Sequence, residues 1–295
     1  MFGRSHTLKS ARLKERRRKI IIGKVILAIM SAGGLWGLVF WLAGLPAITI
    51  SAIEVRGTVS VSSEAITASA EKFLSGRYLF TVPHANILFY PKRSITRDII
   101  ELYPRVESAE VKFKNFQTIN IAIKERETAA LWCRPLAVQE VYWDEKWDDC
   151  FLVDRKGLIF DRFDPGKPSS PDVMKFMTSS RVPAYAKFYG LLSSTTNPVG
   201  QTYAPERFQE LLLLADDMAS FGVTVLAFRE RFDHDLDVEL VGRTRLVVER
   251  EPDVSSVISN LQSVISEPNF GGPEGLNRVD YIDMRFGNKV FYRLK

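Results

Sequence analysis

Histidine and cysteine are scarce in this chain, with three of the first and two of the second in 295 residues. Two cysteines exclude a disulfide-built scaffold and any four-cysteine zinc or iron–sulfur site. His6, His84 and His234 stand far apart, with no cysteine or histidine at ligand spacing. Each therefore reads as an ordinary surface or half-buried side chain. Nothing fits a phosphate-binding glycine-lysine loop, a G-x-S-x-G elbow or an H-E-x-x-H helix. The acidic group Asp144, Glu145, Asp148 and Asp149 lacks the alternating oxygen ligands and glycine of a calcium loop, and reads as a solvated connection. Asp233, His234, Asp235 and Asp237 sit among Phe232, Leu236, Val238 and Leu240 and read as the polar side of a strand. Paired carboxylates for glycoside hydrolysis need only meet in space, and no local pattern supports them. The expectation is a chain that is not an enzyme and needs neither cofactor nor metal.

Charge is missing from residues 25–53, and the 24 residues before them carry more net positive charge than the whole chain does. Val25 to Leu45 approaches the ~20 apolar residues a helix needs to cross ~30 Å of hydrocarbon. Arg4, Lys9, Arg12, Lys14, Arg16, Arg17, Arg18, Lys19 and Lys24 face one acid, Glu15, in the preceding tail. That tail is expected in the cytoplasm and the remainder outside it. A cleaved signal peptide fits less well. Its apolar core usually runs only about 7–15 residues, Trp36 and Trp41 are bulky, and Pro46-Ala47-Ile48 is a poor cleavage site. Beyond the tail, 31 basic residues meet 34 acidic ones. The overall charge of +5 thus reports a membrane flank rather than a nucleic-acid surface. Gly33 and Gly37 have a spacing that lets helices approach, but glycine is common in such segments.

The pattern predicts four parts: an unstructured tail over 1–24, a membrane helix over 25–45, a first exterior domain over 48–126 and a second over 127–295. Residues 48–57 alternate and end at Gly57, as a strand does. Ser62 or Ser63 caps a helix carrying Ile66, Ala70, Phe73 and Leu74, which Gly76 stops. A second helix runs from about Ser94 to Tyr103, before Pro104. Val111 and Phe113 share a face of one strand, and Ile119, Ile121 and Ile123 share a face of the next, with 115–117 as the turn. The order is β-α-α-β-β. Short strands are then expected at 131–132, 151–153 and 158–160, with a loop over 163–173. A helix from Pro205 presents Phe208, Leu211, Leu212, Ala215, Met218 and Ala219. Strands follow at 223–229, 232–240 and 244–250, then a helix capped by Asp253. Two last strands, 278–286 and 289–294, meet at Gly287-Asn288, a pair suited to a two-residue hairpin. The class is α+β: a single N-terminal transmembrane helix, then mixed β structure with two or three helices. Cys133 follows one predicted strand and Cys150 precedes the next, so in an oxidising space they can pair; two free thiols are the alternative.

The β-α-α-β-β unit beside a single anchor resembles a POTRA domain. More specifically, IEVRG at 53–57, GRYLF at 76–80, Pro104-Arg105-Val106 with Ala109-Glu110-Val111, INIAIKERETAALW at 119–132, LVDRKGLIF at 152–160 and VDYIDMRF at 279–286 stand in an order that resembles the bacterial cell-division family FtsQ/DivIB. The segment 81–93 is longer than that family's usual link, and Thr128 stands where a proline is frequent. The resemblance implies a POTRA domain over 48–126 followed by an extracytoplasmic β domain. It implies a non-enzymatic, single-pass divisome scaffold at the septum. The implied partners are FtsB/FtsL-like bitopic division proteins and the septal peptidoglycan synthase complex. By position, the family's partner-binding strand falls on Lys289, Val290, Phe291, Tyr292 and Arg293. Of Phe291 and Tyr292, which alternate across the strand, one is expected to anchor in the core and the other to face the partner. Two other classes are a membrane-anchored POTRA-type chaperone or transport adaptor, and a cell-wall hydrolase.

Overall fold

A computed structural model describes residues 11–78, 82–134, 149–165, 185–193, 196–231, 235–268 and 270–295. Leu79 and Phe80, Asp144, Glu145 and Asp148, His6, His234 and Asp233, and the loop beyond residue 165 lie outside them.

Helix α1 runs Ala11–Ala43. Its stretch Glu15–Leu42 is long and apolar enough to span a membrane, and Leu27, Met30, Leu35 and Trp41 are exposed along it. The tail was expected to be unstructured, yet from Ala11 it is helical. Ala, Arg, Lys and Leu are good helix formers, and extending an existing helix avoids the cost of nucleation. Glu15 also pairs with Lys19 one turn later at 3.3 Å. The helix ends at Ala43, two residues short of the expected Leu45, and a 3₁₀ turn over Pro46–Ile48 follows.

The chain divides into two compact units, Met1–Glu101 with Ala109–Ile123, and Leu102–Ser108 with Lys124–Lys295. The first contains β1 (Ala52–Arg56), α2 (Ser63–Leu74), the short pair β2 (Arg77–Tyr78) and β3 (Val82–Pro83), and α3 (Lys92–Leu102). Strands β4 (Val106–Asn115) and β5 (Thr118–Glu125) join β1 in a three-stranded sheet of order β1-β5-β4, with β1 and β5 parallel. Ser62 caps α2 by accepting from the Ala65 N–H, and Ile66, Ala70 and Leu74 are buried at helical spacing. In α3, Ile95 and Ile99 are buried but Leu102 is exposed. Gly57 lies at φ +86°, and a Cβ there would stand 2.1 Å from the Ile123 carbonyl oxygen, so only glycine closes this corner.

The second unit is built on a nine-stranded sheet of order β14-β13-β12-β11-β10-β9-β6-β7-β8. Its strands are β6 (Ala130–Cys133), β7 (Cys150–Val153), β8 (Ile159–Arg162), β9 (Lys187–Tyr189), β10 (Val225–Glu230), β11 (Asp235–Leu240), β12 (Thr244–Glu249), β13 (Val279–Phe286) and β14 (Lys289–Leu294). Parallel neighbours need long crossovers. Helix α4 (Phe208–Ser220) connects parallel β9 and β10, and α5 (Val254–Ile265) connects parallel β12 and β13. Asp253 caps α5 by accepting from the Ser255 N–H.

Alternation sorts the two faces of this sheet. Trp132, Phe188, Phe228, Val238, Leu246 and Ile282 join Phe208, Leu211 and Leu261 in one large core. On the opposite face, Leu131, Cys133, Cys150, Leu152, Phe160 and Tyr189 form a smaller cluster. Strand β9 escaped sequence reading because three residues are too few to show a period. It nevertheless pairs with both β6 and β10 and places Phe188 against Phe228, Phe208 and Tyr203. The buried stripe of α4 uses Leu214, while Leu212 is half-buried and Ala219 exposed. Four consecutive leucines, Leu211 to Leu214, leave the phase of that stripe open until a sheet fixes it.

A candidate partner-binding edge

Strand β14 closes the sequence and forms one margin of the nine-stranded sheet; no described strand pairs on its outer side. It folds back on β13 through Gly287-Asn288, with Gly287 at φ +63°, the left-handed region that glycine enters freely. The Asn260 side-chain amide of α5 donates to the Gly287 carbonyl at 2.7 Å and pins the hairpin tip. At the other end, the Lys295 N–H donates to Arg278 O at 2.9 Å, and its ammonium reaches the carbonyls of Gly242 and Asn277. The strand is therefore held at both ends, while no described strand occupies its outer edge.

All five residues assigned to a partner contact, Lys289 to Arg293, lie on β14. The expected division of labour between the aromatics is not what the structure shows. Phe291 is 55% exposed and Tyr292 51%, so neither anchors in the core. Val290 does that instead, packing against the main cluster. Val290 and Tyr292 share one side of the strand, and Tyr292, half exposed, meets Phe270 edge-to-face at 5.8 Å between ring centres. Phe291, on the other side, meets Phe286 edge-on at 5.3 Å. Two exposed aromatics on opposite faces of an open edge give main-chain pairing groups flanked by apolar contacts above and below.

Behind the edge, the face of the sheet away from the helices carries a lattice of ion pairs. Arg285 grips Asp283 with two hydrogen bonds, 2.9 and 2.6 Å, and also reaches Asp235. Arg245 approaches Asp237 at 3.4 Å, Arg229 pairs with Glu239, and Arg293 pairs with Asp280. Asp235 and Asp237 are thus on the polar side of β11 as expected, but Asp237 and Glu239 are buried. Burial pushes the Glu239 carboxyl up, with Arg229 opposing. Asp283 is held below its usual range, first by the Arg285 hydrogen bonds, with burial opposing. Arg285 is correspondingly raised, first by Asp283.

The lattice gives a pH-dependent expectation. Asp283 in the unfolded chain titrates near 3.8, and its folded value is lower. The folded form then binds fewer protons in this range, so its contribution is complete above pH 3.8 and disappears as pH falls through the folded value. Asp283→Asn is expected to cost about 1–3 kcal/mol at pH 7. The gap from wild type should narrow below pH 3.8. Denaturant titrations at neutral and acidic pH measure this; an equal gap at both would refute it.

The remaining sequence candidates fall elsewhere. Cys133 and Cys150 stand opposite each other on β6 and β7 and are joined in a disulfide, with Cα atoms 4.0 Å apart. Just outside the bridge, Arg134 pairs with Asp149 at 2.6 Å. His84 lies beside Gly76 with Nδ1 3.0 Å from the Phe73 carbonyl. Sequence reading missed an open cleft of about 960 Å³ beside α4, where Glu230 accepts from Tyr203 and meets Arg207 and Arg250. Burial and the Glu230 carboxylate push the Tyr203 hydroxyl well up. Its residues come from four separated segments, and no local motif joins them. Among the described residues, no group of three His, Cys, Asp or Glu side chains is placed to hold a metal ion.

No protein-family model matches this chain, and no curated protein matches it.

Proposed function

We propose that this chain is a non-enzymatic scaffold of the bacterial division apparatus, of the FtsQ/DivIB kind. In this reading α1 anchors it in the cell membrane with the N-terminus cytoplasmic. Its exterior domains hold FtsB/FtsL-like bitopic proteins at the septum and couple them to the peptidoglycan synthase complex. The observation that carries the reading is the C-terminal edge: β14 is pinned at both ends, open on its outer side and flanked by exposed Phe291 and Tyr292. Such an edge suits an extended segment of a partner that adds as a further strand, with the main chain supplying affinity and alternate side chains supplying choice. The positions are those that the family resemblance assigns. A POTRA-type transport adaptor has less support, because the described residues contain one three-stranded unit of this kind rather than a series.

Depletion of the protein in its own cell, followed by microscopy, tests the proposal. Filaments with unfinished septa are expected. Unaltered division would overturn it.

A further inference from the structure

Two loops of the first unit are bonded to the few residues that follow α1. The exit from the helix is itself a chain of turns: Leu45 N–H donates to Leu42 O at 3.1 Å, Ile48 N–H to Leu45 O at 3.1 Å, and Thr49 Oγ1 to Leu45 O at 3.0 Å. Onto this exit the loop 85–90 docks through Ile50 N–H to Ala85 O, 2.7 Å, and Ile87 N–H to Ile48 O, 3.0 Å. The β4–β5 tip docks beside it. The Gln117 amide donates to Pro46 O at 3.2 Å, and Gln117 O accepts from the N–H groups of Ser51 and Ala52. Neither loop can move far from the end of α1 without losing these bonds.

Both loops carry large apolar side chains that the fold leaves uncovered. Leu88 is 67% exposed, Phe89 54%, Phe113 54% and Phe116 61%. Phe113 continues the inward-facing side of β4, where Val111 is fully buried, but the strand has run past the core. Its ring meets Phe116 edge-on at 5.8 Å. Single exposed apolar residues are ordinary; two groups gathered around one membrane-length helix are not. A span of about 18–20 residues ending near Ala43 puts Pro46 at headgroup depth, where aromatic rings are favoured.

We propose that loops 85–90 and 113–117 dip into the headgroup–acyl boundary of the bilayer that α1 crosses, with Leu88, Phe89, Phe113 and Phe116 inserted. The partner is the lipid itself. The first domain then stands on the membrane with a fixed face down, instead of swinging from a tether. The inference rests on α1 as a membrane span, and the fold supplies its own contrast. Strand β1 leads away from Gln117 toward Gly57, so exposed Val59 lies at the far end of the sheet, roughly 15 Å on.

The test is to place the photo-crosslinking amino acid p-benzoylphenylalanine singly at Phe89, Phe116, Leu35 and Val59 of the full chain. Each variant is reconstituted in phosphatidylcholine–phosphatidylglycerol vesicles, and the adducts are identified by mass spectrometry. Lipid adducts are expected at 35, 89 and 116, with yields at 89 and 116 at least about tenfold above that at 59. Lipid adducts at 35 but none at 89 and 116 would overturn the insertion and leave the anchor intact. Adducts of 89 and 116 to a second copy of the chain would also overturn it. No lipid adduct at 35 would remove the anchor and the inference together.

Discussion

Under the proposed function, a single proline in β14 is expected to abolish capture of an extended partner segment while leaving the domain folded. Adjacent residues of a strand direct their N–H groups to opposite edges. Of the variants Phe291→Pro and Tyr292→Pro, one therefore removes a donor from the open edge and the other removes one from the β13 ladder. The first should fold as wild type by circular dichroism and lose partner binding by about two orders of magnitude or more. The second should weaken the hairpin itself. Val290 is a poorer site because it packs against the core. Phe291→Ala and Tyr292→Ala complete the set. Both side chains are about half exposed, so the fold should tolerate their loss, and at least one should weaken binding by about 2 kcal/mol, as truncation of an aromatic anchor does. Isothermal titration with the partner's exterior segment reads all four. Unchanged affinity across folded variants would remove β14 as the contact.

The second large effect concerns the bridge between β6 and β7. The cysteines are 17 residues apart, and cross-linking a loop of that size restricts the unfolded chain by about 3 kcal/mol. Cys133→Ala with Cys150→Ala should lower stability by about that amount, read from the denaturant midpoint of the full chain in detergent. Both cysteines are almost wholly buried among Leu131, Leu152 and Phe160. Dithiothreitol should therefore act slowly on the folded protein and fast once it unfolds. Two free thiols in unreduced, denatured protein would contradict the bridge.

These two sites differ in how much of them the sequence disclosed. Gly287-Asn288 between two alternating runs announces the terminal hairpin by local turn chemistry alone. That β14 is the margin of the sheet, rather than an interior strand, follows from long-range pairing: β12 and β13 meet in parallel across α5, and nothing described lies beyond β14. The same distinction explains the error over Phe291 and Tyr292. Alternation fixes that they face opposite ways, but burial depends on how far α5 and Phe270 reach over the edge. Likewise Asp235 and Asp237 were legible as the polar side of β11. Arg245 on β12 and Arg285 on β13 become their neighbours only through the register, and Arg231, just beyond β10, lies 3.8 Å from Asp237.

By itself the sequence determined the features that depend on composition and short period. These are the membrane-length apolar helix behind a basic tail, a cap at Ser62 or Ser63 and one at Asp253, the glycine turns and the alternation of most strands. Only the tertiary structure decided that three-residue β9 sits inside the large sheet between β10 and β6, that Cys133 faces Cys150, that no described strand pairs beyond β14, and that two aromatic loops are bonded to the exit of α1. The physical reason is range. Propensity and periodicity act over a few residues, whereas sheet order, burial and cross-strand partners arise when distant segments share a core, and no local stretch of chain carries that information.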